Sequence, residues 1–364
     1  MLSGVNSSNV TEGIREMEKT MLVTGGAGFM GSNFVRYIYH KYPHYKIIVL
    51  DALTYAGNIE NLPLNINDHN DHMGGRLVFW YGNVRNGELV DTLISQSDIV
   101  VHFAAETHVT RSIYDNYIFF ETDVLGTQSV ANAVLKYKDR VERFIHISTS
   151  EVYGSAVKEK MDEDHPLLPM SPYASAKAGA DRLVYSYWAT YEVPATIIRP
   201  FNNYGPYQHL EKAIPRFITS CILNEPIRVH GDGSASRDFI FVDDLCAAVD
   251  IIVHAEPRTV KGEVFNVASG VHRSILSIAK DIVKLMGKNE SMIGFVGDRP
   301  GQVFRHTGDI RKMEGVFNWR PEVEWEKGLL KTIEWYRNNR SWWEKQLWMR
   351  TIPIITRSGK RELH

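Results

Sequence analysis

The segment Thr20-Met-Leu-Val-Thr24, followed by Gly25-Gly-Ala-Gly-Phe-Met-Gly31, decides the fold of this 364-residue chain. Its first five residues predict a short buried strand, and the apolar spacing over residues 32–42 predicts a helix. Strand, glycine turn and helix in this order begin a dinucleotide-binding unit, because backbone N–H groups and a helix N-terminus face the pyrophosphate. The glycines fit two related spacings, G-x-G-x-x-G at Gly26, Gly28 and Gly31 and G-x-x-G-x-x-G at Gly25, Gly28 and Gly31.

An acidic residue follows the second predicted strand. The apolar run Lys46-Ile-Ile-Val-Leu50 ends at Asp51, 20 residues after Gly31, where a carboxylate accepts hydrogen bonds from the ribose hydroxyls of adenosine. The same carboxylate repels a 2′-phosphate, and the next residues, Ala52-Leu-Thr-Tyr55, include no arginine or lysine that could bind one. The sequence therefore predicts NAD as the cofactor in preference to NADP.

Two further predicted strands end in small residues. Leu77-Val-Phe-Trp-Tyr81 leads into Gly82-Asn-Val84, and Asp98-Ile-Val-Val-His-Phe103 leads into Ala104-Ala-Glu-Thr107. Small residues at the carboxyl end of a strand let a cofactor approach the backbone closely. Strands that alternate with helical segments predict an α/β fold, namely a Rossmann-type doubly wound parallel sheet with a smaller, mixed α/β substrate-binding lobe.

The segment from Ser148 to Gly154 and the pair Tyr173 and Lys177 carry groups suited to a redox step coupled to proton transfer. Tyr173 and Lys177 are four residues apart, so both emerge on one helix face, where the ammonium is predicted to lower the pKa of the phenol. A tyrosine tuned in this way acts as a base near neutral pH. A Y-x-x-x-K pair alone is more often a solvated helix face, and the predicted dinucleotide site beside it favours the functional interpretation.

Taken together, these motifs resemble the extended short-chain dehydrogenases/reductases, and within them the nucleotide-sugar 4,6-dehydratases, especially the dTDP-glucose type. The resemblance runs from about residue 20 to residue 343, and the further segments that carry it are Asp51–Asn58, Ala104–Val109, Asn202–Pro206, Arg237–Phe239 and Asp298–Gly301. One position departs from the pattern. Dehydratases of the dTDP-glucose type carry Thr-Asp-Glu where this chain has Thr149-Ser-Glu151. Thr-Ser-Glu occurs in GDP-mannose 4,6-dehydratases, in some UDP-N-acetylglucosamine 4,6-dehydratases and in UDP-glucuronate decarboxylases.

The resemblance implies a role for each residue of the site. It implies catalytic groups at Thr149, Ser150, Glu151, Tyr173 and Lys177, and substrate contacts at Thr107, Asn202, Lys212, Arg237 and Arg299. It implies NAD contacts at Gly25, Gly28, Phe29, Met30, Asp51, Leu53, Thr54, Asn83, Val84, Ala104, Ala105, Thr107, Thr122, Tyr173 and Lys177. Arginines can bind phosphate oxygens through paired hydrogen bonds, which suits a nucleoside diphosphate.

The implied reaction is redox-neutral. Tyr173, assisted by Lys177 and Thr149, takes the proton from O4 while C4 gives a hydride to NAD. Glu151 then removes the C5 proton, water leaves from C6, and the hydride returns to C6. A serine hydroxyl is too weak an acid to protonate a leaving hydroxyl well. We therefore expect Glu151 to pass on the proton it took and Ser150 to orient the 6-hydroxyl, so that Ser150→Ala lowers the rate only about tenfold.

Two other enzymes share the same oxidised intermediate. A UDP-glucuronate decarboxylase loses carbon dioxide, and a 4-epimerase returns the hydride to C4 from the other face. Glu151 argues against epimerisation, which needs no base at C5, and the segments Asn202–Tyr207 and Glu334–Trp343 resemble dehydratases more than decarboxylases. A non-catalytic NAD-binding sensor is a further alternative, disfavoured because the threonine, tyrosine and lysine of the reaction are all present.

The composition excludes several classes of protein. With 41 Lys and Arg against 43 Asp and Glu, a net charge of −2 lacks the basic excess of a nucleic-acid binder. No pattern of His, Cys and carboxylates predicts a metal, so His102 and His108 are expected to be structural, and Cys221 and Cys246 are expected to be buried apolar residues. No apolar run has membrane-spanning length, and the first residues lack the apolar core of a signal peptide, which predicts a cytoplasmic location.

The pattern of strands and helices predicts two lobes. Residues 20–200, together with about 239–266, are expected to form the NAD-binding domain. Residues 201–238 and about 267–340 are expected to form the nucleotide-sugar-binding lobe. The second lobe should supply the cations and backbone donors that a nucleoside diphosphate needs.

The two ends of the chain differ in character. Residues 1–19 are rich in polar residues and glycine and are expected to be a disordered tail. Residues 341–364 form a C-terminal extension with too much apolar area to leave in water, so we expect it to pack on the body or on a partner subunit. The resemblance also implies a homodimer, formed through the helices near residues 122–136 and 172–191.

Overall fold

The computed structural model describes residues 19–63, 75–297, 303–350, 353–355 and 360–363. Its strands are β1 Thr20–Thr24, β2 Lys46–Asp51, β3 Leu77–Tyr81, β4 Ile99–His102, β5 Arg143–Ile147, β6 Ala195–Pro200, β7 Asn202–Tyr204, β8 Ile227–His230, β9 Ser236–Phe241, β10 Val264–Val267, β11 His272–Ser274, β12 Ile293–Val296, β13 Pro353–Ile355 and β14 Arg361–Leu363.

The helices alternate with the strands along most of the chain. They are α1 Phe29–Lys41, α2 Gly87–Ile94, α3 Val109–Tyr114, α4 Tyr117–Phe119, α5 Thr127–Lys136, α6 Pro172–Tyr191, α7 Ala213–Leu223, α8 Val242–His254, α9 Pro257–Val260, α10 Ile275–Leu285, α11 Arg311–Phe317, α12 Trp325–Asn338 and α13 Arg340–Glu344. A π-helical stretch, Phe120–Gly126, joins α4 to α5. None of the helices among the described residues is long and apolar enough to cross a membrane.

Seven strands form one fully parallel sheet in the order β3-β2-β1-β4-β5-β6-β10. Its inner strands are continuous apolar runs, such as Met21-Leu-Val23, because helices cover both faces of the sheet. One face packs against α1 and α8 through residues such as Phe34 and Leu245. The other packs against α2, α5 and α6 through residues such as Leu93 and Val130. The predicted Rossmann-type, doubly wound sheet is confirmed.

The remaining strands lie in smaller sheets. β9 pairs with β7 in parallel and with β11 antiparallel, and β8 pairs with β12 in parallel. Helices α7, α10 and α12 surround these strands in an apolar cluster that includes Phe217, Ile278 and Leu329. Strand β10 lies at the edge of the central sheet beside β6, and α8 packs on α1. The division of the chain into a cofactor domain and a substrate lobe remains a prediction.

The start of the C-terminal extension packs on the body of the chain. Trp342 and Trp343 are buried in the cluster around α7 and α12. Their Nε1 atoms donate hydrogen bonds to Asn61 Oδ1 at 2.8 Å and to the carbonyl oxygen of Tyr336 at 2.7 Å. Both cysteines are buried and unbridged, as expected. Residues 1–18, which carry nearly all of the expected tail, lie outside the described residues.

Candidate active site

A cleft opens at the carboxyl ends of the central strands, where β1 lies next to β4. From β1 the chain winds outward to β2 and β3 and then crosses to β4 on the other side of β1. At such a switch point the flanking helices leave a crevice, and doubly wound sheets bind their ligands there. The lining of the cleft includes both the glycine turn after β1 and residues 148–151 after β5. The cleft therefore joins the predicted cofactor site to the predicted reaction groups.

The glycine turn after β1 forms one wall of the cleft. A Cβ on Gly25, which has φ +69°, would lie 2.5 Å from the amide nitrogen of Ala104, and a Cβ on Gly31 would lie 2.3 Å from the carbonyl oxygen of Gly25. Both positions therefore require glycine. Helix α1 begins at Phe29, and no side chain caps its first N–H groups because its N-cap residue is Gly28. These donors lie at the cleft wall, which is the arrangement that binds a pyrophosphate.

Asp51 lies at the end of β2 beside the glycine turn. Its Oδ2 accepts a hydrogen bond from the amide of Ala27 at 2.9 Å, and its Oδ1 accepts one from the amide of Leu53 at 2.8 Å. A Cβ on Gly57 would lie 2.8 Å from Oδ1, so the close approach of this backbone to the carboxylate requires glycine. Burial raises the pKa of Asp51, and the backbone hydrogen bonds oppose that shift. Asp51 thus fixes the turn, and its remaining lone pairs can accept hydrogen bonds from ribose hydroxyls.

Most of the predicted NAD contacts lie on the wall of the cleft. Those that line it are Gly25, Gly28, Phe29, Met30, Asp51, Thr54, Asn83, Val84, Ala104, Ala105, Thr107, Thr122 and Tyr173. The structure does not place Leu53 or Lys177 on this lining. Leu53 has φ +46°, and its amide binds Asp51, so it acts on the site through that carboxylate. Lys177 is buried, and its Nζ donates to the carbonyl oxygen of Ile147 at 2.8 Å.

The predicted reaction groups meet in another part of the same cleft. After β5, Thr149 caps the short 3₁₀ turn Ser150–Tyr153 by accepting from the amide of Glu151 at 3.2 Å. Helix α6 begins at Pro172 and places Tyr173 in its first turn, where the tyrosine hydrogen-bonds to Thr149. Thr149, Ser150, Glu151 and Tyr173 all line the cleft. The two motifs that were singled out in the sequence are therefore brought together beside the glycine turn.

The predicted electrostatic effect of Lys177 on Tyr173 is wrong. Burial raises the pKa of Tyr173, Asp123 raises it further, and only the hydrogen bond from Thr149 lowers it. Burial also lowers the pKa of Lys177, whose Nζ is bonded to the Ile147 carbonyl. Both residues lie on α6 as predicted, but the cost of burying a phenolate decides the pKa of Tyr173.

Two buried carboxylates at the site were not found by sequence reasoning. Asp123 accepts from the amide of Glu106 at 2.8 Å, and burial raises the pKa of Asp123 to about 8. Glu211 lines the cleft, accepts from the hydroxyl of Tyr55 at 2.9 Å, and has its pKa raised by burial. Neither lies in a motif with a spacing that marks it in the sequence. The packing of segments that are distant along the chain brings Glu211 to the cleft wall and Asp123 against Glu106, which also lines the cleft.

The surroundings of Glu151 include a second residue that was missed. Its Oε1 is 3.9 Å from Arg237 Nε and 3.8 Å from Nδ1 of His306, which had no predicted role. Arg237 was expected to bind the substrate, but it does not line the cleft. It is buried, and its guanidinium donates to the carbonyl oxygens of Ser236 at 2.9 Å and Val303 at 2.7 Å. Arg237 therefore supports the carboxylate of Glu151 from behind the lining.

Three of the other predicted substrate contacts line the cleft. Asn202 and Lys212 both lie there with Thr107, and Lys212 Nζ donates to the carbonyl oxygen of Thr107 at 3.0 Å. Arg299 lies outside the described residues. Lys212 therefore offers the positive charge that a diphosphate needs, within the described part of the site.

A sequence model of the family described as GDP-mannose 4,6 dehydratase matches residues 22–332. The chain belongs to this family of nucleotide-sugar 4,6-dehydratases. The low-salt glycan biosynthesis protein Agl12 of Haloferax volcanii is 44% identical to it over 87% of this chain and 98% of that protein. A dTDP-glucose 4,6-dehydratase of Streptomyces niveus is 39% identical over 89% of this chain and 94% of that enzyme.

Solved structures of the 4,6-dehydratase family have the same fold. A dTDP-glucose 4,6-dehydratase of Streptomyces venezuelae, solved with NAD bound, has a TM-score of 0.83 and 39% identity, covering 90% of this chain and 99% of that one. A UDP-glucose 4-epimerase of Thermotoga maritima has a TM-score of 0.79 but 28% identity, covering 88% and 99%. The likeness to 4,6-dehydratases that was recognised from the motifs is confirmed.

Proposed function

We propose that this chain is an NAD-dependent nucleotide-hexose 4,6-dehydratase that converts a substrate of the dTDP-glucose type into the 4-keto-6-deoxy sugar. The observation that carries the proposal is the carboxylate of Glu151, which lies in the cleft beside Thr149 and Tyr173. Removal of a proton at C5 needs a base at this place, and epimerisation at C4 does not. Membership of the family and the 39% identity to a dTDP-glucose 4,6-dehydratase support the same reaction.

NAD fits the glycine wall of the cleft. Side chains at Gly25 and Gly31 would collide with the backbone of Ala104 and Gly25, so these glycines allow the turn whose backbone donors can meet a pyrophosphate. The carboxylate of Asp51 is placed for the ribose hydroxyls, and residues 52–55 offer no cation to a 2′-phosphate. Bound NAD supplies the acceptor and the donor of the hydride. This wall therefore combines the N–H donors at the start of α1 with an adjacent carboxylate that can accept hydrogen bonds from the ribose.

Tyr173 handles the proton of the sugar O4. Tyr173 lies on the cleft wall, and the hydrogen bond from Thr149 opposes the rise in the pKa of Tyr173 that burial causes. Burial lowers the pKa of Lys177, and Asp123 and Asp181 oppose that shift. Thr149 can hold O4 by a hydrogen bond while Tyr173 takes the proton. Oxidation at C4 then acidifies the hydrogen at C5.

Glu151 handles the proton of C5. Its carboxylate is partly exposed in the cleft, and the guanidinium of Arg237 at 3.9 Å favours the ionised form that a base requires. Once Glu151 has taken the C5 proton, the 6-hydroxyl must leave with a proton of its own. A general base of this kind contributes about 10²–10⁴-fold to the rate.

Incubation with a panel of dTDP-, UDP-, GDP- and CDP-hexoses and UDP-glucuronate, followed by mass spectrometry of the products, tests the proposed function. We expect loss of one water from dTDP-glucose or a close analogue. Loss of carbon dioxide from UDP-glucuronate would assign a decarboxylase instead. A product of unchanged mass that differs at C4 would assign an epimerase. UDP-glucuronate serves as the matched control because it carries no 6-hydroxyl to eliminate.

We also propose a homodimer, formed through α5, α6 and the stretch that precedes α5. The surfaces of these segments expose Tyr117, Phe120, Leu125 and Tyr185, and covering such apolar area favours association. Sedimentation of the wild type should give a dimer, and Leu125→Asp should give a monomer. Leu330→Asp, at a similarly exposed leucine on α12, is the control and should remain a dimer.

A cytoplasmic location is also proposed, and fractionation of cells tests it.

A further inference from the structure

His306 lies against the serine that stands where dTDP-glucose-type dehydratases carry an aspartate. Its Nδ1 is 3.4 Å from Ser150 Oγ and 3.8 Å from Glu151 Oε1. His306 is fully buried, whereas Ser150 and Glu151 line the cleft. A carboxylate, a hydroxyl and an imidazole therefore meet at one point, although Ser150 and His306 are 156 residues apart in the chain.

The hydrogen bonds of His306 define which ring nitrogen carries the proton. Nε2 is 2.6 Å from the carbonyl oxygen of Gly154, which can only accept, so Nε2 is the donor. Nδ1 then carries the lone pair of a neutral ring and accepts from the hydroxyl of Ser150. Burial lowers the pKa of His306, and this agrees with a neutral ring at rest. Nδ1 is thus free of its own proton and faces the two cleft residues.

The backbone holds His306 in this position from two sides. Its amide donates to the carbonyl oxygen of Ser236 at 3.2 Å, and the preceding carbonyl, of Arg305, accepts from the amide of Ala156 at 3.3 Å. Gly154 has φ +68°, and a Cβ there would lie 1.9 Å from a backbone oxygen of a neighbouring loop. The acceptor of Nε2–H therefore depends on a glycine. Such fixed partners are what a group needs in order to transfer protons along a defined path.

The elimination step needs a proton at the leaving oxygen. The pKa of a serine hydroxyl is far above that of a carboxylic acid, so Ser150 alone is a poor donor. Arg237 also lies near Glu151, but a guanidinium does not release its proton in proteins. The imidazole of His306 removes this difficulty, because it can give a proton to Oγ of Ser150 as Ser150 gives its own proton to the leaving oxygen.

We propose that Ser150 and His306 form a proton relay that takes the place of the aspartate in the Thr-Asp-Glu motif, an inference that rests on the proposed dehydratase function. Glu151 removes the proton from C5 and passes it to Nδ1 of His306. His306 passes it to Oγ of Ser150 as Ser150 gives its own proton to O6. The C6–O6 bond breaks, a double bond forms between C5 and C6, and O6 leaves as water.

The relay balances without a further reactant. The proton lost from C5 equals the proton gained at O6, and all three side chains return to their starting forms. The separation of 3.8 Å between Glu151 and Nδ1 closes to a hydrogen bond with a movement of about 1 Å. Catalytic hydrogen bonds are commonly long until the substrate is bound. His306 does not line the cleft, so it acts through Ser150 and Glu151.

The central test replaces His306 by glutamine, which keeps a donor for Gly154 but cannot relay a proton. We expect turnover to fall about 100-fold, bound NADH to accumulate when the sugar nucleotide is added, and starting sugar recovered from D₂O to carry deuterium at C5. Oxidation at C4 and removal of the C5 proton do not need His306, whereas the elimination does. The control is His165→Gln, because His165 is also buried and bonds to the backbone of Val157 and Pro166. It should keep wild-type turnover.

Two further variants test the relay without relying on the fold around His306. Ser150→Ala should lose about 100-fold in turnover, more than the tenfold expected if Ser150 only orients the hydroxyl. It should also accumulate NADH and incorporate deuterium at C5. Adding Ser150→Asp to His306→Gln supplies an acid at the position itself, and this double variant should turn over at least about tenfold faster than His306→Gln alone.

Three results would overturn the relay. The first is wild-type turnover in His306→Gln, and the second is a loss without NADH accumulation or deuterium at C5, which a merely structural histidine produces. The third is a loss of only tenfold in Ser150→Ala. A wild-type protein that dehydrates none of the sugar nucleotides would instead refute the proposed function, so the two failures are distinguishable.

Discussion

Replacing Asp51 by alanine is expected to weaken NAD binding and also to destabilise the chain. The loss of stability follows from the hydrogen bonds of the carboxylate. Its oxygens accept from the backbone amide of Ala27 at 2.9 Å and from that of Leu53 at 2.8 Å. A buried donor left without a partner costs about 1–3 kcal/mol, so two cost about 2–6 kcal/mol. Burial raises the pKa of Asp51, so removing the costly buried charge offsets part of this loss. We therefore expect the free energy of unfolding to fall by about 2–3 kcal/mol.

The effect on NAD is separate from the effect on the fold. Hydrogen bonds between a carboxylate and ribose hydroxyls contribute about 1.5–3 kcal/mol, which corresponds to roughly 10–100-fold weaker binding in Asp51→Ala. Urea unfolding without NAD measures the first quantity, and titration with NAD below the unfolding transition measures the second. Ala52→Arg, which adds a cation for a 2′-phosphate, should shift the preference toward NADP.

Asp98→Ala is the matched control. Asp98 accepts from the amide of Thr20 at 2.8 Å but does not line the cleft, so its loss should lower stability and leave NAD affinity unchanged. The reasoning on Asp51 is refuted if Asp51→Ala unfolds at the same urea concentration as the wild type and binds NAD equally well. Predominantly NADP in the purified protein would refute the placement of the ribose.

Other expected outcomes concern the reaction and the core. Glu151→Gln should lower turnover about 10²–10⁴-fold and accumulate bound NADH on addition of substrate, whereas Tyr173→Phe should give no NADH absorbance. Gly25→Ala should abolish NAD binding in a titration, since its Cβ would lie 2.5 Å from the amide nitrogen of Ala104. Burial lowers the pKa of His102 from 6.5 to about 3. The unfolded chain therefore binds the extra proton, and Tm should fall as the pH decreases from about 6.5 toward 3, less steeply in His102→Gln.

Features that lie close together in the sequence could be predicted from it. The glycine turn between β1 and α1 and the acid at the end of β2 follow from strand, turn and helix rules that act over a few residues. The placement of Tyr173 and Lys177 on one helix follows from the helical repeat in the same way. The resemblance to the 4,6-dehydratases could be recognised for the same reason, because the motifs of that family are short segments with fixed spacing.

Predictions that depended on surroundings were less successful. The pKa of Tyr173 is raised, not lowered, since burial and Asp123 both raise it. Arg237 is buried beside Glu151 and does not line the cleft, and its contact with the substrate remains a prediction. A side chain's exposure and its charged neighbours are set by which segments pack on it, and spacing along one helix or strand does not contain that information.

By itself, the sequence determined the doubly wound sheet, NAD as the cofactor and the set of residues that are proposed to carry the proton chemistry. Those depend on backbone conformation and on residues within a turn or two of each other. Only the tertiary structure placed Glu211 on the cleft wall, Asp123 where it affects Tyr173, and His306 beside Ser150 and Glu151. Each comes from a segment far along the chain, and long-range packing fixes its distance from Glu151 or Tyr173. The contact between His306 and Ser150, on which the proposed proton relay depends, was therefore visible only in the tertiary structure. No local sequence pattern links these two residues.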